Sequence, residues 1–331
     1  MARPSDAAIE GVDVAAYTIP TDQPESDGTL EWDATTMVLA RIHAGGETGL
    51  GYTYGSQAVA TLIEGKLASV LLGQDPTNIA ALWQAMRIQL RNEGYRGESM
   101  MAVSALDVAL WDLKARLLGV PVVHLLNTAH EAVPIYGSGG FTSYPLERIA
   151  EQLGGWAGEG IGRVKMKVGR NQAEDPARLD AARKAIGADV ELFVDANGAY
   201  SRKQAVEWAE RFRSEWDVRW FEEPVSSDDV EGLALVRDRG PGGMDIAAGE
   251  YGYELSDFRR WLGAVDCLQA DVTRCGGFTG MARVSGLCDA HCLDLSGHCA
   301  PALSAHALCA AVHMRHLEYF HDHVRIERLL F

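Results

Sequence analysis

Residues 191–224 read ELFVDANGAYSRKQAVEWAERFRSEWDVRWFEEP. ELFVD is a short apolar run closed by an acid, and RWFEEP repeats the pattern. Between them, residues 201–214 place apolar side chains at helical spacing. A strand, a helix and a second strand in that order form a βαβ unit with parallel pairing. The rhythm starts near residue 133. Its strands are VPIYGSG, 164–168, ELFVD, RWFEEP, MDIAAGE, DCLQAD, LDLSGH and HLEYF. Helices are predicted over 146–158, 174–186, 201–214, 228–238, 254–263, 278–291 and 301–312. Eight strands alternating with helices predict an α/β fold of the (β/α) TIM-barrel type. A doubly wound open sheet is the competing reading, but no Gly-rich phosphate turn opens its first helix.

The barrel is preceded by a different pattern. Residues 9–18 and 35–43 read as strands, joined by the polar loop IPTDQPESDGTLEWD, and a third strand runs into GETGLGYTYGS. Helices follow over 56–72, 76–93 and 98–118. Residues 1–130 are therefore expected to form an α+β capping domain, and 131–331 the catalytic barrel. The chain ends at HVRIERLLF, soon after the eighth strand. So short a terminal segment leaves its packing onto the cap, and the closure of the cap, open.

The whole chain has 331 residues, 47% of them hydrophobic, and a net charge of −16. It shows no basic stripe, so neither nucleic acid nor an anionic membrane is an expected partner. MARPSDAAIEGVD lacks the basic and apolar regions of a signal peptide, and the expected location is the cytoplasm. All six cysteines lie between Cys267 and Cys309. Cys288, His291, Cys292, His298 and Cys299 have the residue types of zinc ligands. However, His298 and Cys299 are neighbours, and neighbours on a strand point apart. Cysteine also serves as a small buried hydrophobe.

The strand ends carry the chemistry. The third barrel strand ends in Asp195, the fourth in Glu222 and the fifth in Glu250, at near-equal intervals. Barrel active sites form at the C-terminal ends of the strands. One such carboxylate could be a helix N-cap. Three on adjacent strands would repel each other unless a cation joined them, and an all-oxygen set favours Mg²⁺ over zinc. Lys165 and Lys167 alternate with Val164, Met166 and Val168 in VKMKVGR. They therefore share one strand face, roughly 7 Å apart. Like-charge repulsion would let Lys165 lower the proton affinity of Lys167. On the far side stand Asp271 and His298; a carboxylate beside an imidazole fixes its tautomer and stabilises its charged form. Taken singly, the lysines could be ion pairs to helices and His298 a core histidine. Together they suit removal of a proton next to a carboxylate, with a metal stabilising the enediolate.

These motifs resemble the enolase superfamily, in its mandelate racemase-like subgroup. The resemblance rests on KxK at Lys165–Lys167, VDxN at Asp195–Asn197, EEP at Glu222, GE at Glu250, Asp271 with its GG pair, His298, and LE at Glu318. It covers both cap and barrel. It implies one Mg²⁺ per subunit on Asp195, Glu222 and Glu250, with a Lys or His base beside it. Lys167 would be one base and His298, paired with Asp271, the base on the opposite face. Glu318 would hydrogen-bond the substrate carboxylate, and Asn197 would support the metal or substrate. A muconate-lactonising relative would carry a lysine on the sixth strand, where this chain has Asp271 and Arg274. The resemblance further implies a small carboxylate substrate and a homo-oligomer. Acid-sugar dehydration to a 2-keto-3-deoxy acid is the first activity it suggests, and racemisation or epimerisation of a 2-hydroxy acid the second.

Specificity is expected from cap loops near 20–32 and 50–55, with Tyr52 and Tyr54 as substrate contacts. His321 and His323 are expected at the surface or an interface, with reach into the pocket as the alternative. Two rivals remain: a Schiff-base aldolase, which needs no carboxylate trio, and a non-catalytic protein on the same fold.

Overall fold

The computed structural model describes residues 7–330. Three antiparallel strands open the chain: β1 (Ile9–Ser26), β2 (Glu31–Ala44) and β3 (Glu47–Tyr54). The stretch read as a polar loop is mostly strand. β1 and β2 pair from Ile9–Ala44 out to Ser26–Glu31, with an irregularity between Pro20 and Glu25. Only residues 27–30 turn the chain, where Asp27 Oδ1 accepts from the backbone N–H groups of Thr29 and Leu30. A side chain that caps its own turn makes a tight hairpin from a polar sequence.

The long helix Glu98–Leu118 lies across this sheet. Contact is close because β3 offers glycine there: a Cβ on Gly51 would stand 2.1 Å from the Ala105 carbonyl oxygen. This helix and sheet share one apolar core, built on Val38, Ile42, Leu106 and Leu110.

Eight parallel strands then close on themselves: β4 (Ile135–Gly139), β5 (Arg163–Lys167), β6 (Glu191–Asp195), β7 (Val218–Glu222), β8 (Asp245–Ala248), β9 (Cys267–Ala270), β10 (Asp294–Gly297) and β11 (Met314–Phe320). Every predicted barrel strand and interleaving helix is present. The barrel floor is packed by Tyr136, Phe193, Trp220, Ala247 and Cys267, with His316 against the three aromatic rings. Above this layer the inward-facing side chains become polar. Among the described residues, no helix is long and apolar enough to cross a membrane.

The chain's last helix, His321–Glu327, packs against the cap. Glu327 accepts from the hydroxyl of Tyr52, Arg325 donates to the Pro20 carbonyl, and His321 pairs with Asp22. Short as it is, this helix reaches β1 and β3 together.

Candidate functional site: a carboxylate trio between two walls

Asp195 and Glu222 end neighbouring strands and stand opposite each other in register. Glu250 follows β8 across Gly249, whose φ of 135° suits glycine and whose absent Cβ would lie 2.2 Å from the Gln269 carbonyl oxygen. All three carboxylates are buried, and one oxygen of each falls within 4.8 Å of the others. Trp220 Nε1 and Gln269 Nε2 each donate to Glu222 Oε2 at 2.9 Å. The backbone N–H of Asn197 donates to Asp195 Oδ1 at 2.8 Å. These contacts leave Glu222 Oε1 and Asp195 Oδ2 for other partners. Glu223 Oε1 and Asn197 Oδ1 are buried without a hydrogen-bond partner, and Glu250 Oε2 meets only His298 Nε2, at 3.2 Å. Buried polar atoms seldom stay unpaired, so orphaned oxygens beside three carboxylates fit a hard divalent ion. Burial drives Glu222 up to about 8, partly offset by Lys165.

The lysines form one wall. Lys165 Nζ lies 2.5 Å from Glu222 Oε1, 2.7 Å from Glu318 Oε1 and 3.5 Å from Asp195 Oδ2. Lys167 Nζ lies 2.5 Å from Asp195 Oδ2. The expectation that Lys165 keeps Lys167 neutral needs correction. Burial disfavours charge on both, and Lys165 does repel Lys167, but the carboxylates outweigh these effects and raise both lysines. Like-charge repulsion is the weaker influence beside the ion pair with Asp195. A cation taken up by the trio would compete for these oxygens and lower the lysines' proton affinity.

The opposite wall is built on His298. Its Nδ1 lies 2.8 Å from Asp271 Oδ2. Thr273 holds the other oxygen, Oδ1, through its backbone N–H and its hydroxyl, both at 2.7 Å. Nε2 faces the trio, 3.2 Å from Glu250 Oε2. Burial opposes a charge on His298, but Cys299, Glu250, Glu318 and Asp271 together raise it well above the ordinary value. Glu318 Oε1 accepts from the Ser138 hydroxyl at 2.6 Å, which leaves Oε2 toward His298 at 3.5 Å.

Cys299 departs from strand alternation. Its Sγ lies 3.3 Å from His298 Nε2 and 3.3 Å from Glu318 Oε2. β10 ends at Gly297, and Cys299 and Ala300 take φ of 50° and 42°. The backbone coils left-handedly there, so adjacent side chains point into one space. The larger zinc set suggested by the sequence is not assembled. Cys288 is packed in the core, Cys292 is exposed, and all six cysteines are free.

Cap and barrel meet directly over the mouth. A Cβ on Gly28 would lie 2.2 Å from the Ala196 carbonyl oxygen, between Asp195 and Asn197. Thr29 Oγ1 donates to the Asn197 carbonyl, and Arg170 donates to the Leu30 carbonyl. The hairpin tip thus rests on the end of β6. Tyr52 and Tyr54 direct their hydroxyls to Glu327 Oε1, at 2.7 and 3.4 Å. Tyr54 also stacks on His323 with ring centroids 3.4 Å apart. His323 is buried, not at the surface as expected; it accepts from the Ala300 N–H, and burial pushes it down to about 3. Applied to the first barrel strand, the strand-end rule would have found Ser138. Glu223, Gln269 and Glu327 carry no comparable sequence signal.

Residues 148–331 match the model of the enolase C-terminal domain-like family. Residues 18–127 match the mandelate racemase/muconate lactonizing enzyme N-terminal domain. The chain belongs to the mandelate racemase/muconate lactonizing enzyme family of the enolase superfamily. A crystal structure of a family-like protein from Rubrobacter xylanophilus superimposes with TM-score 0.96 at 60% identity, over 97% of this chain and 90% of the other. A racemase from Streptomyces coelicolor with bound magnesium follows at TM-score 0.89 and 34% identity, over 94% and 88%. The 3,6-anhydro-alpha-L-galactonate cycloisomerase of S. coelicolor is 34% identical, over 94% of this chain and 88% of that enzyme. The L-talarate/galactarate dehydratase of Salmonella typhimurium is 32% identical, over 94% and 81%.

Proposed function

We propose that this family member removes the proton α to the carboxylate of an acid sugar and then expels the β-hydroxyl, yielding a 2-keto-3-deoxy acid. The observation that carries the reading is the placement of Lys167 and the His298–Asp271 pair on opposite sides of the Asp195–Glu222–Glu250 trio. The trio is the proposed site of one Mg²⁺, in keeping with the magnesium-bound relative. When bound there, the ion would supply positive charge against the substrate carboxylate and so acidify the adjacent proton.

The chain's own groups divide the remaining work. Lys167 Nζ, freed from Asp195, takes a proton on one face. His298 Nε2 offers a proton on the other, because Asp271 on Nδ1 stabilises the charged imidazole. A leaving hydroxyl needs such a proton to depart as water. Lys165 and Ser138 fix Glu318 Oε1, which orients that carboxyl toward the substrate carboxylate. Asn197 Oδ1 is a free acceptor beside the trio. The cap hairpin over β6 limits access of water. Tyr52 and Tyr54 act on substrate choice through their hold on Glu327 and the terminal helix.

The two-walled arrangement also favours a second reading, racemisation or epimerisation of a 2-hydroxy acid, in which the second wall returns a proton to carbon. A panel of acid sugars and 2-hydroxy acids with Mg²⁺ in D₂O separates the two. A 2-keto-3-deoxy product that carries solvent deuterium at C3 supports dehydration. Deuterium with inverted configuration and no water loss supports the second reading. No exchange and no keto acid from any substrate, and no effect of Lys167→Ala, defeats both.

A further inference from the structure

Three unlike ligand atoms converge on the His298 wall: His298 Nε2, Cys299 Sγ and Glu318 Oε2. Their separations are 3.3 Å (Nε2 to Sγ), 3.3 Å (Sγ to Oε2) and 3.5 Å (Nε2 to Oε2). Zinc binds such ligands at about 2.0–2.3 Å in a tetrahedron, whose edges are then about 3.3–3.7 Å. The three separations already fall on those edges. The surroundings match as well. A zinc-bound histidine normally gives its second ring nitrogen to a carboxylate. His298 Nδ1 meets Asp271 Oδ2 at 2.8 Å, and Asp271 is itself held by Thr273. Glu318 Oε1 is taken by Ser138 and Lys165, which leaves Oε2 for a metal. All three side chains are buried.

We propose that His298, Cys299 and Glu318 form a second metal site that selects a thiophilic divalent ion such as Zn²⁺, distinct from the all-oxygen trio. Sulfur and imidazole nitrogen favour zinc, whereas Mg²⁺ prefers oxygen. Binding breaks the Cys299 S–H bond and forms a zinc–sulfur bond, with the proton released to solvent. An exogenous oxygen ligand can complete the tetrahedron. The ion occupies Nε2, so under the proposed function it blocks the second wall and acts as an inhibitor.

The metal-binding test needs no turnover, so it stands or falls apart from the acid-sugar reading. Protein saturated with Mg²⁺ receives one equivalent of Zn²⁺, and X-ray absorption reads the zinc shell. One sulfur at about 2.3 Å with nitrogen and oxygen at about 2.0–2.1 Å is expected. A shell without sulfur overturns the proposal. Co²⁺ serves as a second probe: a thiolate-to-metal absorption band should appear in the parent, persist in Cys292→Ser and vanish in Cys299→Ser. A band that survives in Cys299→Ser overturns it. If that variant fails to fold, the absorption result on the parent decides alone. Asp271→Asn should weaken zinc binding about 10–100-fold, since it removes the group that orients His298.

Discussion

The two ends of the barrel are both rich in charge, yet they are built on opposite principles. At the N-terminal end, a cavity of about 560 Å³ is lined by Arg163, Glu191, Asp217, Arg219, Asp245 and Arg315. Each arginine there has its own acid: Arg163 with Glu191, Arg219 with Asp217, Arg315 with Asp245 and Asp294. These partners are partly solvated. At the C-terminal end the acids are buried and crowded, and some oxygens have no partner. Matched, hydrated charges hold a structure together with little net effect. Unmatched, buried charges store an appetite for a cation or a proton. The comparison teaches that the candidate site is marked by charge left unsatisfied, not by cavity volume.

Removing the proposed base at the crowded end should have the largest effect. Lys167→Ala is expected to reduce α-proton exchange by about 10²–10⁴-fold, with unchanged circular dichroism. An activity near the parent's would break the contrast. Glu250→Gln should weaken Mg²⁺ binding, because it takes one charge from the trio. Isothermal titration with Mg²⁺ measures this, and an unchanged affinity would move the ion elsewhere.

At the matched end, Arg315→Met should lower stability by only about 1 kcal/mol or less, as partly exposed ion pairs do, and leave exchange intact. Denaturant melts together with the exchange assay check both statements. A large loss of activity would show that the floor reaches the chemistry.

The cap contact sharpens the contrast through pH. Burial raises Glu327 from 4.5 to about 7, against the hydrogen bonds from Ala302, Tyr52 and Tyr54. A carboxyl raised on folding favours the folded state while protonated. Its contribution is full below about 4.5 and is lost as pH rises through about 7. Melting temperatures between those limits should fall more steeply in the parent than in Glu327→Gln. Parallel curves would show that the helix–cap contact does not depend on this proton.

Much of the barrel was legible because it rests on local rules. Apolar runs closed by an acid, with helical spacing between them, mark each βα unit, and strand-end residues mark the mouth. The cap was less legible. Polar composition suggested a loop at 20–32, but backbone pairing with β2 does not require apolar side chains, so β1 runs on to Ser26. The loop expected at 50–55 is the end of β3, so Tyr52 and Tyr54 stand in a strand, and their partners, Glu327 and His323, come from the far end of the chain.

The sequence by itself determined the order of strands and helices, the acids at strand ends Asp195, Glu222 and Glu250, and Lys167 and His298 as candidate bases. Each of these follows from periodicity and from which residue ends a strand. Only the tertiary structure decided how these groups share protons and partners. Lys165 and Lys167 proved to be held by carboxylates from other strands, and Cys299 turned in beside His298 because the backbone leaves the strand in a left-handed bend. Charge balance depends on distances between remote segments, and a side chain's direction after a strand depends on φ. Neither is written in local spacing.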